Sequence, residues 1–211
     1  MKKYILFDND GVLVDTEYWY FMSTKRALSK LGININKKLY LTNMSKGISI
    51  WQQAKDLGID KTVISQKREI RNRYYQEYLQ KENIEINGVE EVLSKLSKKY
   101  RMAVITTSKR NDFELIHEKR RIIDYMDFVL TVEDYDNAKP FPDPYLAGLK
   151  RFGALKEETL IVEDSERGLM SAVNAGIDCV IVHNEFMETN DFSKATHRIK
   201  SLNELLILLK E

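Results

Sequence analysis

The chain has 211 residues, 43% of them hydrophobic and 31% charged, with 33 Lys+Arg against 32 Asp+Glu. That length supports one large or two small domains with a sizeable core, and the apolar fraction excludes a disordered chain. A net charge of +1 argues against a nucleic-acid-binding surface, and the lone Cys179 can form neither an internal disulfide nor a thiolate metal cage, which suits a reducing, cytoplasmic setting.

In chain order, the apolar run that opens at Tyr4 is stopped by Asp8, far too early for a signal peptide, and reads instead as a strand over Tyr4–Asp8. From Thr16 to about Asn87 no strand pair is evident, but helical patterns are. One runs from Thr16 to Leu31 and stops at Gly32, and another runs from Ile50 to Leu57 and stops at Gly58. A longer helix follows Asp60, with Ile70, Tyr74 and Tyr78 in register at i, i+4 and i+8. Beyond it, strands are expected at Met102–Thr106, Phe128–Val132, Leu160–Glu163 and Cys179–Val182. These are continuous apolar runs, as parallel strands buried on both faces require, and helices fit between them. A helix opens at Ser165 and stops at Gly176. The longest late apolar run, Leu205–Leu209, has five residues, against about 20 for a bilayer span, so no membrane partner is expected.

The organisation that follows is an α/β core made of residues 1–15 and 88–211, with an all-helical insert over 16–87. The insert carries 13 Lys+Arg against 7 Asp+Glu, the core 20 against 25. The basic excess reads either as a solvated helix surface or as a lid for an anionic substrate over an acidic site.

Four groups of residues carry chemistry. The first strand runs into Asp8-Asn9-Asp10-Gly11. Residues two apart on an extended chain point the same way, so both carboxylates can face one site at the strand's carboxyl end, where open α/β sheets bind ligands. Alone, the same tetrapeptide is also an ordinary turn. Glu163-Asp164 ends a later strand, just before the helix opened by Ser165. Clustered carboxylates repel unless a cation or a proton sits among them, and oxygen donors of this kind suit Mg²⁺. Lys139 lies in Ala138-Lys139-Pro140-Phe141-Pro142-Asp143-Pro144, which holds all three prolines of the chain, a stiff loop that can present an ammonium to a phosphate. Thr106 and Thr107 follow Ala103-Val104-Ile105; one of these hydroxyls is placed to cap the next helix, and such a turn can also cradle phosphate oxygens. No Walker loop, GxGxxG, GxSxG or HExxH motif is present, and His117, His183 and His197 suggest no shared ligand set.

In this order and at these strand ends, Phe7-Asp8-Asn9-Asp10-Gly11-Val12, Thr106, Lys139-Pro140 and Glu163-Asp164 resemble the four motifs of the haloacid dehalogenase-like superfamily of phosphohydrolases. The resemblance spans essentially the whole chain. The insert straight after the first motif is similar to the small helical cap of the subgroup holding phosphoglycolate phosphatases and β-phosphoglucomutases. The resemblance implies a Rossmann-like parallel sheet with a helical cap domain, and a Mg²⁺-dependent phosphatase acting on a small phosphorylated metabolite. It implies Asp8 as nucleophile, with Asp10 protonating the leaving oxygen and then activating water. By the same resemblance the metal is held by Asp8, the Asp10 backbone carbonyl and Asp164, with Glu163 close by. Thr106 and Lys139 would hold the phosphoryl oxygens, with Thr107 beside them.

Two other readings share these residues. A sugar-phosphate mutase uses the same core motifs, but in the β-phosphoglucomutase pattern a histidine lies shortly after the first motif. Here Glu17-Tyr18-Trp19-Tyr20-Phe21 stands there, and no histidine occurs in 16–87. A non-catalytic phospho-acceptor module, as in response-regulator receivers, has no use for the long insert. Within the insert, Lys46 is the candidate substrate contact, and Tyr18, Trp19, Tyr20 and Trp51 are either pocket lining or insert core.

Overall fold

The computed structural model describes residues 1–45 and 48–210, so Lys46 lies outside the described residues. The chain forms two compact units: Met1–Asp15 with Glu85–Glu211, and Thr16–Ile84. The sequence placed the second boundary at 87; Glu85 pairs with Val14 in an antiparallel bridge and so joins the first unit.

The first unit is built on six strands: β1 (Tyr4–Phe7), β2 (Arg101–Ile105), β3 (Phe128–Leu130), β4 (Thr159–Glu163), β5 (Asp178–Val182) and β6 (His197–Ile199). All pairings are parallel and the order is β3-β2-β1-β4-β5-β6, the Rossmann-like arrangement. In register, Leu6 stands between Ala103 and Ile161. Ile5, Leu6 and Phe7 are wholly buried, as are Met102, Ala103, Val104 and Ile105, so both faces of the central strands are covered. The sequence missed β6. In His197-Arg198-Ile199 only Ile199 is buried, and a polar edge strand leaves no apolar run to read.

In the second unit, α1 (Glu17–Ser29), α2 (Lys37–Ser45), α3 (Gln52–Asp56) and α4 (Lys61–Lys81) succeed one another. Helix α4 starts at Asp60, whose carboxylate accepts the Thr62 N–H. The helix read from Ile70, Tyr74 and Tyr78 is present, and its buried residues are Ile64, Tyr75 and Leu79. Tyr74 and Tyr78 are half-buried, each with one side chain against its ring. The Arg26 guanidinium sits 3.7 Å from the Tyr74 ring centroid, and Trp19 stacks on Tyr78 at 5.2 Å. Trp51 is buried, whereas Tyr18 and Tyr20 are exposed.

The first unit resumes with α5 (Val89–Leu96), α6 (Arg110–His117), α7 (Asp143–Phe152), α8 (Glu166–Ala175) and the short α9 (Leu205–Leu208). Helix α8 begins as the sequence requires: Ser165 Oγ accepts the Gly168 N–H at 3.1 Å, and Gly176 stops it with a φ of 70°. Tyr145 and Phe152 from α7 and Leu169 and Ala172 from α8 pack with Leu6, Ala103, Ile105 and Ile161 into one core cluster. No helix among the described residues is long and apolar enough to cross a membrane.

Candidate active site

Strand β1 ends at Phe7, so Asp8 is the first residue of the loop, tied back by its N–H to Val162 O at 2.9 Å. The loop then doubles on itself. The Asn9 carbonyl accepts the N–H groups of Val12, Leu13 and Val14, and Gly11 adopts a φ of 82°. A Cβ at Gly11 would overlap the Asp164 carboxylate, so glycine is needed there both for its backbone and for its bareness. The close approach brings the first acidic segment against the second.

At the carboxyl end of β4, Asp8, Glu163 and Asp164 are all buried, and each presents a carboxylate oxygen within 4.8 Å of the others. Lys139 lies among them, on the loop before α7, where the Lys139–Pro140 peptide is cis. Its Nζ donates to Asp8 Oδ1 at 2.6 Å, to Glu163 Oε1 at 2.7 Å and to Ile105 O at 3.1 Å, which uses all three of its hydrogens. Side chains of α8 hold this loop: Ser171 Oγ donates to Phe141 O and Asn174 Nδ2 to Pro140 O.

Glu163 is enclosed by donors. Lys139 and Tyr145 donate to Oε1, and the N–H groups of Asp164 and Ser165, with the Ser165 hydroxyl, donate to Oε2. A Cβ at Gly168 would overlap this carboxylate, so it rests directly on the first turn of α8, at the positive end of the helix dipole. Burial pushes the Glu163 carboxyl up, but the Lys139 ammonium and these hydrogen bonds outweigh it and hold it below its usual value. For Lys139, burial favours the neutral form, and the Asp8 and Glu163 charges outweigh it to raise the ammonium above its usual value. Asp8 ends differently. Burial, with the Glu163 and Asp10 charges adding to it, outweighs Lys139 and pushes its carboxyl up to about 7.

Asp10 stands beside the end of β2. Its Oδ2 accepts from Ser108 Oγ at 2.8 Å, Asn9 Nδ2 at 3.3 Å and Thr106 Oγ1 at 3.4 Å. Neither Thr106 nor Thr107 caps α6, although the sequence suggested that one of them would. Thr106 accepts the Ser108 N–H at 3.0 Å and so braces the turn, while α6 starts beyond it at Arg110. Thr107, the neighbouring candidate, accepts from Arg167 at 3.4 Å. Asp8, Asp10, Thr106, Lys139, Glu163 and Asp164 thus gather at the carboxyl ends of β1, β2 and β4, where the strand order turns outward on either side of β1.

A family model described as haloacid dehalogenase-like hydrolase matches residues 5–182. The chain belongs to that family. A relative named phosphorylated carbohydrates phosphatase, from Thermotoga maritima, is 32% identical over 190 residues, which is 85% of each chain. The crystal structure of β-phosphoglucomutase from Clostridium difficile superposes with a TM-score of 0.79 at 25% identity, covering 100% of this chain and 96% of that one. CbbY from Rhodobacter sphaeroides, solved in complex with phosphate, gives 0.81 at 21% identity over 97% and 96%, a likeness of fold.

In this haloacid dehalogenase-like hydrolase the donor set fits a hard divalent cation. The clustered groups are oxygen donors, two of them from adjacent residues, and the buried negative charge exceeds the single ammonium placed against it. Sequence reasoning missed the supporting residues: Ser108 on Asp10, Asn184 (which donates to Asp164 Oδ2 at 2.7 Å) and Tyr145 on Glu163. Only Tyr145 left a trace, as an aromatic one helical step past the proline loop.

Proposed function

We propose that this haloacid dehalogenase-like phosphatase is a Mg²⁺-dependent hydrolase of a small phosphorylated metabolite and works through a phosphoryl group carried on Asp8. The observation that carries this reading is the state of Asp8. Lys139 fixes its Oδ1 at 2.6 Å, and its Oδ2 accepts no hydrogen bond among the described residues. The buried Glu163 and Asp164 stand beside it.

Asp8 Oδ2 attacks phosphorus in line with the leaving oxygen, forming an O–P bond as the ester O–P bond breaks. Asp10 gives a proton to the departing oxygen. It then takes one from the water that attacks the phosphoryl-aspartate, releasing inorganic phosphate and restoring Asp8. Thr106 and Thr107, at the end of β2, offer hydroxyls to the phosphoryl oxygens, and Lys139 offsets charge as it builds. Asp8, Asp164 and the Asp10 backbone carbonyl would hold Mg²⁺, with Glu163 adjacent. A bound Mg²⁺ neutralises charge between the carboxylates and the phosphoryl oxygens and polarises the phosphoryl group. Residues 16–84 would serve as the cap that selects substrate, with Lys46 a contact to it.

The test is direct. Purified protein with Mg²⁺ should hydrolyse p-nitrophenyl phosphate, and Asp8→Asn should abolish turnover while leaving the circular dichroism spectrum intact. Full activity in that variant removes Asp8 as nucleophile. The structural likeness to a β-phosphoglucomutase supports a second reading, transfer to a sugar hydroxyl. Release of inorganic phosphate rather than an isomerised sugar phosphate decides between them, and the lack of histidine in 16–87 favours water as acceptor.

A further inference from the structure

The acidic loop holds one side chain for which the phosphoryl chemistry has no use. Asn9 lies between Asp8 and Asp10 and is fully buried. Both ends of its amide are engaged. Nδ2 donates to Asp10 Oδ2 at 3.3 Å, and Oδ1 lies 2.8 Å from Nε2 of His117, the last residue of α6 and 108 positions away in sequence. A carboxylate without a proton can only accept, so the amide nitrogen faces Asp10 and the amide oxygen faces His117. His117 Nε2 therefore carries the ring proton.

That tautomer leaves Nδ1 as a bare acceptor, and Nδ1 is buried with no hydrogen-bond partner among the described residues. Such a group costs folding free energy, because it gave up its water and gained no donor in exchange. An apolar side chain would pack against Phe113, whose ring centroid is 4.4 Å from that of His117, without that cost. The remaining advantage of histidine here is its donor toward Asn9. At the far end of the chain of contacts, Asp10 Oδ2 also takes the Ser108 and Thr106 hydroxyls.

We propose that His117 is a positioning residue for the proton-transfer step, holding the Asn9 amide so that Asn9 in turn fixes the rotation of the Asp10 carboxyl group. The assignment rests on the reading of Asp10 as proton donor to the leaving oxygen. It predicts a defect that depends on the leaving group. Expulsion of an alkoxide needs the proton, whereas p-nitrophenolate leaves without much help. The second-order constant kcat/KM isolates this step, because it excludes the later attack of water.

The experiment compares kcat/KM for glycerol phosphate and for p-nitrophenyl phosphate, with Mg²⁺ present. It uses the unaltered enzyme, Asp10→Asn, Asn9→Ala, His117→Leu and His117→Gln. His117→Leu and Asn9→Ala should each lower kcat/KM for glycerol phosphate about tenfold and that for the aryl ester less than twofold. His117→Gln, whose amide N–H can still donate to Asn9 Oδ1, should recover most of the loss. Equal losses on both esters, or no recovery with Gln, would mean that His117 only fills space and would overturn the proposal. If His117→Leu does not fold, Asn9→Ala decides alone, since sparing of the ratio there breaks the relay. Asp10→Asn separates the two readings. A selective loss in that variant upholds Asp10 as the acid whatever His117 does, and an unselective one removes the acid and this proposal with it.

Discussion

The two compact units are built with opposite economies of contact. In the first, the polar side chains that matter are buried and interlocked: Lys139 places all its hydrogens, and the Glu163 carboxylate accepts five hydrogen bonds. In the second, aromatic rings and guanidinium groups meet in open contacts, such as Arg26 over Tyr74, Arg71 over Tyr20 at 4.3 Å, and an exposed Arg26–Glu77 ion pair. Exposed pairs of this kind contribute roughly 0–1 kcal/mol each, whereas a buried network fails when any one member is removed. Under the proposed function, reaction chemistry belongs to the first unit, with its buried network, and substrate recognition to the second.

The comparison breaks or sharpens under substitution. The largest effect is expected at Lys139. Lys139→Met leaves Asp8 and Glu163 buried without their counter-charge, so denaturant titration at neutral pH should show a loss of about 3–5 kcal/mol, together with loss of phosphatase turnover. A loss below about 1 kcal/mol would mean the carboxylates find another partner. Gly168→Ala comes next. The new methyl group overlaps the Glu163 carboxylate, and relief by backbone shift should cost about 1–3 kcal/mol and lower kcat through displacement of Lys139.

His117 gives a pH test. Burial, reinforced by Arg120 and opposed by Asp10, lowers its pKa from 6.5 to about 4. Above pH 6.5 both folded and unfolded chains hold it neutral. As pH falls, the unfolded imidazole takes its proton first, so stability declines between pH 6.5 and about 4, by up to roughly 3 kcal/mol. His117→Leu should lose this component of the decline, read as a flatter plot of denaturation midpoint against pH. The smallest effect is placed in the second unit, where Lys46→Ala should raise KM with kcat little changed. A fall in kcat there would put reaction chemistry in both units.

How much of this was legible follows from where each residue sits. Asp8, Asp10, Lys139 and Glu163-Asp164 declared themselves because each stands where an apolar run stops or a proline loop begins, and polarity at a strand end is a local signal. Their partners left none. Ser108 meets Asp10 across 98 positions, and His117 meets Asn9 across 108. Such pairings exist only once β1 and β2 lie side by side. The Ile70, Tyr74 and Tyr78 register revealed the helix but not which of its faces is buried. Periodicity reports which side chains share a face, but the polar tip of tyrosine lets that face remain half-open while Ile64, Tyr75 and Leu79 turn inward.

The crowding of Glu163 against Gly168 carries a consequence for descent. A lineage cannot enlarge residue 168 unless the acid five places earlier shifts first, and that acid cannot shift without releasing both the lysine and the tyrosine it holds. These positions should drift together or stay still in related chains.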